Sequence, residues 1–202
     1  MKPALPTSPT LFALLAAAVL AAGCGSTAPS KLYTPEAQAT EGARLASEAR
    51  RIEVVSVRIP DLWDRPQIVL TKPGGEVDFN EFNRWAVPLK SEVPRIVTRN
   101  LTRLLGTQMV WLREDFPGAK PDLRVQVSID QIEAVAGQQL RLEAAWAIRG
   151  SDAAAALKVG RSVVQEPLSD GSYAAVVAAT SRALLALSRD VARDIAAVPA
   201  RP

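Results

Sequence analysis

Residues 123–130 read Leu-Arg-Val-Gln-Val-Ser-Ile-Asp, a strict alternation of apolar and polar side chains. Successive side chains of a strand point to opposite faces, so Leu123, Val125, Val127 and Ile129 share one side of an extended chain. Arg124, Gln126, Ser128 and Asp130 share the other. After a turn near Gly137 the pattern repeats through Leu140, Leu142, Ala144, Trp146 and Ile148, and residues 157–164 add a third member of a meander. Such alternation predicts a sheet with one packed face and one wet face.

Strand signals continue toward the N-terminus. Residues 53–59 place Val55, Val57 and Ile59 on one face and Ser56 and Arg58 on the other, and Pro60 ends the run. Residues 67–71 (QIVLT) form a second strand, and the turn-rich Lys72-Pro73-Gly74-Gly75 leads into a short strand over 76–79 that pairs back as a hairpin. Residues 35–50, rich in Ala, Glu and Arg, are compatible with a loop or a short helix.

Two segments have helical spacing. From Leu89 or Ser91 to Leu105, the residues Leu89, Val93, Ile96, Val97, Leu101, Leu104 and Leu105 make an apolar stripe. Pro94 fits there if Ser91 is the N-cap, because first-turn N–H groups have no intrahelical acceptor to lose. Gly106 is placed as a left-handed stop. Residues 109–112 follow as a short strand. The second helix runs over about 172–197, with Tyr173, Val176, Val177, Thr180, Leu184, Leu187, Val191 and Ile195 as its seam and Arg182, Arg189 and Arg193 off it. The expected fold is α+β, a mainly antiparallel sheet with two helices packed on one face.

Composition narrows the function. Of 202 residues, 24 are Lys or Arg and 21 Asp or Glu, for a net charge of +3 with no basic run, so no nucleic-acid partner is expected. Histidine is absent, which removes the Ser-His-Asp triad, histidine general bases and most zinc sites. Neither a G-x-x-x-x-G-K-[ST] loop nor a G-x-G-x-x-G turn occurs. No carboxylate pair stands out, so the chain reads as a non-enzyme without metal or cofactor.

Residues 11–24 (LFALLAAAVLAAGC) carry the addressing signal. An apolar run of about a dozen residues falls short of the roughly 20 needed to span a bilayer. It ends at Ala21-Ala22-Gly23 and meets Cys24, the one cysteine in the chain. Small residues before a cysteine suit cleavage, and a thiolate is the side chain there able to take a diacylglycerol group. The layout is that of a bacterial lipoprotein signal, with Ala21 where Leu is commonest. Its competitors are a plain secretory signal and a short anchor with a free thiol. The expected organisation is a signal peptide over 1–23, a lipidated N-terminus and tether over 24–30, and a domain over 31–198. Loss of Lys2 with the leader lowers the net charge from +3 to +2.

Two further segments carry unusual detail: Leu62-Trp63-Asp64-Arg65-Pro66-Gln67-Ile68-Val69 and Glu81-Phe82-Asn83-Arg84-Trp85-Ala86-Val87-Pro88-Leu89. With the lipoprotein signal, they resemble the ABC-type transport auxiliary lipoprotein family, the PqiC-like membrane-integrity lipoproteins. Tyr33-Thr34 resembles that family's strand motif soon after the acylated cysteine, and residues 172–195 resemble its closing helix. Pro94 and Val87 depart from the pattern, Val87 standing where an acidic residue is frequent.

The resemblance implies a periplasm-facing lipoprotein that works with an MCE-domain protein, an inner-membrane permease and often an ATPase in moving lipid between membranes. It allows a homo-oligomer. Gly25, not Asp, after Cys24 agrees with sorting to the outer membrane. Docking the MCE assembly there is the expected role; a lipid-binding carrier or a regulator of cell-wall synthesis are the alternatives.

The residues have readings of their own beside this. Pro66 lacks an N–H and belongs at a strand start or edge. Arg65 has two candidate partners, Asp64 and Glu81. Gln67 is read as bonding to backbone, and Trp85 as packing in the core with its indole N–H on a carbonyl. Arg84 suits bidentate carboxylate binding or stacking. Asp64, Arg65, Pro66, Gln67, Arg84, Trp85 and Pro88 are the candidate partner-binding residues, expected to pack together at one edge of the sheet.

Overall fold

The computed structural model describes residues 29–39, 50–72, 74–150 and 158–199. The signal segment, Cys24, most of the 35–50 stretch and Leu157 lie outside the described residues. In chain order the elements are β1 (Lys31–Tyr33), β2 (Ile52–Arg58), β3 (Gln67–Thr71), β4 (Val77–Trp85), α1 (Leu89–Leu105), β5 (Val110–Leu112), β6 (Leu123–Val135), β7 (Gln139–Gly150), β8 (Lys158–Pro167) and α2 (Tyr173–Ala196).

β6 is the axis of the sheet. One of its edges takes β7 antiparallel along its whole length, and β8 pairs antiparallel beyond β7. Its other edge takes two strands in succession, both parallel: β2 beside residues 123–128, and β3 at Thr71↔Val135. β5 adds parallel to β2, β4 antiparallel to β3, and β1 parallel to β4. The sheet is therefore mixed, not mainly antiparallel. Alternation reports which face is packed; it is silent on strand direction. The α1 connection returns the chain to lay β5 parallel to β2, as parallel pairing requires a crossover.

Leu123, Val125, Val127 and Ile129 are buried, as are Leu140, Leu142, Ala144, Trp146 and Ile148. A bulge at Ile129/Gln131 passes over Asp130, after which Ile132 and Ala134 carry the buried face. A bulge in β2 changes the expected pattern there. The ladder steps from Val54↔Val125 to Ser56↔Gln126, so Val55 is passed over, and Ile52, Val54 and Val57 are the buried residues. Val55 and Ile59 are only half-buried.

Both helices cover this apolar face. α1 packs on β2 and β5, α2 on β7 and β8, and the helices pack on each other. α2 begins where the spacing put it, and Ser172 is its N-cap, the hydroxyl accepting from the Ala175 N–H at 3.1 Å. α1 begins earlier than the capping argument required. Its N-cap is Pro88, and the Ser91 hydroxyl donates to the Pro88 carbonyl at 2.9 Å. Pro94 therefore sits beyond the first turn, where its missing N–H leaves the Lys90 carbonyl without an i→i+4 donor. Lys90 is exposed, so water can meet that carbonyl. Gly106 ends the helix in the left-handed conformation at φ 65°.

A short strap crosses the helix layer between β1 and β2. The Ala39 N–H donates to Asn100 Oδ1 at 3.1 Å, the Glu36 N–H to Ser181 Oγ at 3.0 Å, and Arg103 Nη1 to the Ala37 and Ala39 carbonyls at 3.2 and 3.1 Å. Asn100 is fully buried and also donates to Ser188 Oγ at 3.4 Å.

Candidate partner-binding groove

Residues 59–66 join β2 to β3, the two strands that share one edge of β6. The Trp63 N–H donates to the Pro60 carbonyl at 2.9 Å and the Asp64 N–H to the Asp61 carbonyl at 3.1 Å. These tight turns sink Trp63 into the core and leave Asp64 exposed beside it. Pro66 precedes β3, where a residue without an N–H costs no ladder bond.

β4 delivers the second half of the site. Its ladder with β3 passes from Val69↔Phe79 to Gln67↔Arg84, so β4 runs through more residues than β3 over that interval. Asn80 shapes the bulge: its Oδ1 accepts from the Phe82 N–H at 2.8 Å and from Asn83 Nδ2 at 3.2 Å. Beyond it the Trp85 N–H donates to the Pro66 carbonyl and the Ala86 N–H to the Tyr33 carbonyl, both at 2.7 Å. β1, the connector and β4 are thus tied together by main-chain bonds.

The two sequence motifs meet through their tryptophans, whose ring centroids are 6.2 Å apart at an interplanar angle of 36°. A surface groove of about 440 Å³ lies over this junction. Asp64, Arg65, Pro66, Arg84, Trp85 and Pro88 line it, so six of the seven expected residues come together. Gln67 stands apart: its amide donates to both carboxylate oxygens of Glu81, at 2.9 and 3.1 Å, and not to backbone. Arg65 pairs with neither Asp64 nor Glu81; its guanidinium lies 4.4 Å from the Phe79 ring centroid, a cation–π contact. Asp64 instead faces Lys90 Nζ at 3.6 Å. Trp85 is buried as expected, but its Nε1 has no hydrogen-bond partner among the described residues, contrary to the expected carbonyl.

Four lining residues were not among the expected ones: Ala86, Ser30, Leu32 and Val87. Ser30, Leu32 and Val87 complete the walls, with Leu32 65 % and Val87 41 % exposed. Large exposed aliphatic side chains around a guanidinium are the material of a recognition surface. Leu32 could have been found only by knowing that β1 docks on β4, which no local pattern announces. Arg84 is half-buried, and its side chain forms no ion pair or hydrogen bond among the described residues. The groove offers guanidinium donors, proline and aliphatic walls.

Among the described residues no helix is long and apolar enough to cross a membrane. No curated protein matches the chain. Among solved structures, a Xanthomonas campestris protein of the DUF330 family superposes with a TM-score of 0.64 at 19 % identity, covering 80 % of this chain and 92 % of its own. An uncharacterized protein superposes with a TM-score of 0.65 at 15 % identity, covering 83 % and 99 %. At these identities the likeness is one of fold. The family model for the ABC-type transport auxiliary lipoprotein component matches residues 31–192, from β1 through most of α2 and across both motifs that build the groove. By that match, this chain is a member of the ABC-type transport auxiliary lipoprotein component family.

Proposed function

We propose that this protein is a non-catalytic, lipid-anchored subunit of an MCE-type intermembrane lipid transport system, docking the MCE assembly at the periplasmic face of the outer membrane. In this reading residues 1–23 are removed, Cys24 is acylated, and residues 31–198 act as one transport-auxiliary domain. The observation that carries it is the groove, built from the two motifs within the family match and lined also by Ser30 and Leu32 at the start of the described residues. Ser30, on the groove wall, follows Cys24 by six positions. At ~3.3–3.6 Å per extended residue the intervening chain reaches roughly 20 Å, which keeps the groove close to the bilayer.

Acyl chains supply membrane affinity at ~0.8 kcal/mol per buried CH₂, and more than one chain gives stable anchoring. The folded domain then has only to recognise protein. A carrier role would need room for lipid, whereas Ala175, Ala179, Ala183 and Ala192 of α2 are buried in close packing.

The test is affinity purification of the full-length tagged protein from envelope membranes. The MCE-domain protein and permease should be recovered with the wild type and lost with Arg84→Glu. Cys24→Ala should release the chain from the membrane fraction. Repeated recovery of neither partner from wild type would remove the reading.

A further inference from the structure

We infer that the groove takes an extended, acidic protein segment, with a carboxylate on Arg84 and apolar side chains against Leu32 and Val87. The inference rests on the docking role and names the chemistry of what docks. Its first support is charge. The lining holds two guanidiniums, Arg65 and Arg84, against one carboxylate, Asp64, and that carboxylate already faces Lys90 Nζ at 3.6 Å. Glu81, three positions before Arg84 on β4, accepts from Gln67 and pairs with neither arginine. Arg84 is thus a half-buried cation with no counter-ion among the described residues. Guanidinium presents paired N–H groups that match a carboxylate.

Backbone supplies the second support. β1 closes the sheet order, so one edge of it carries no strand among the described residues. An open edge accepts an extended segment by main-chain hydrogen bonding, with alternate side chains entering flanking pockets. Leu32, on that strand, and Val87 both line the groove and are exposed. An anionic lipid headgroup shares the negative charge but has no peptide N–H and C=O groups for the β1 edge, so the protein segment is favoured.

The probe is the peptide acetyl-Val-Glu-Val-Glu-Val-amide, titrated into the full acylated chain in uncharged maltoside micelles and followed by tryptophan emission, since Trp63 and Trp85 lie at the groove. Its glutamine counterpart and dihexanoylphosphatidylglycerol, a soluble short-chain lipid, are the comparison ligands. The glutamate peptide should saturate, bind at least fivefold more tightly than the glutamine peptide, and lose at least fivefold with Arg84→Gln. Arg84→Gln should melt like the wild type, and the distant Arg193→Gln should bind like it. Equal binding of the two peptides, no effect of Arg84→Gln, no binding at all, or Arg84-dependent binding of the lipid alone would each overturn the inference. The docking role fails separately: a chain that recovers its MCE partner yet ignores the glutamate peptide keeps the role and loses the inference.

Discussion

The Trp146 indole lies flat across Gly160 of the neighbouring strand, its register partner. A Cβ built at Gly160 would fall 2.3 Å from Cε2 and Cζ2 of that ring. From this position Trp146 Nε1 donates to Asp194 Oδ2 at 3.0 Å, and Lys158 Nζ reaches Asp194 Oδ1 at 3.1 Å. One aromatic side chain therefore joins β7, β8 and α2. Gly160→Ala should displace the ring and its hydrogen bond and cost about 1–3 kcal/mol, the range of core overpacking. Urea denaturation measures it; a loss under about 0.5 kcal/mol would mean that the ring has somewhere else to go.

Trp85→Phe tests the unpaired indole. A buried donor without an acceptor costs about 1–3 kcal/mol, so removing it offsets the apolar area lost with the smaller ring. The change should cost less than about 1 kcal/mol. Trp85→Ala, which also opens a cavity beside Trp63, should cost about 3–5 kcal/mol. Thermal melts of the two variants give the contrast, and similar large losses in both would show that the N–H is satisfied.

Asn100→Ala should strand the Ala39 N–H in the helix layer and cost about 2 kcal/mol. The effect should be local first, with faster hydrogen exchange at Ala39 and earlier proteolysis in the strap. Unchanged exchange there would remove Asn100 as its fastening.

Asp122 sets an acid limit on one edge of the fold. Its carboxylate accepts from Arg51 Nη2 at 2.6 Å and from the Arg51 N–H at 2.8 Å, tying the chain entering β2 to the start of β6. The hydrogen bond from the Arg51 side chain is the main cause holding its pKa below the ordinary aspartate value. A lowered folded-state pKa gives stability that is complete above about pH 4 and fades as pH falls through that lowered value. The Asp122 side chain is 41 % exposed, so screening keeps the contribution under about 1 kcal/mol. Wild type should exceed Asp122→Asn in stability at pH 7 and converge with it as pH falls through the lowered folded-state pKa. A gap that persists or widens in acid would contradict the sign.

Much of this could be read from local spacing. The buried faces of β6 and β7, the α2 seam and the Gly106 stop follow from neighbouring residues alone, because each is set within one turn or one pleat. The two motifs stood out through their resemblance to a family pattern, and their expected packing on one another is seen in the Trp63–Trp85 contact.

What failed depended on distant partners. Val55 looked like a core residue until the β2–β6 pairing passed over it. Glu53, to which the alternation assigns no role, is buried, its Oε2 accepting from Arg113 Nη2 at 2.9 Å and Arg124 Nε at 3.3 Å. Gln67 bonds the Glu81 carboxylate and not backbone, and Arg65 stacks on Phe79 and pairs with neither Asp64 nor Glu81.

Taken alone, then, the order of amino acids determined which segments extend, which coil and which face each buries, because those properties repeat with the period of the local backbone. Parallel or antiparallel direction, the bulges and the meeting of β1 with the two motifs were decided only in three dimensions. They depend on hydrogen bonds between residues tens of positions apart, such as Trp85 to Pro66 and Ala86 to Tyr33, and no periodicity encodes a bond of that kind.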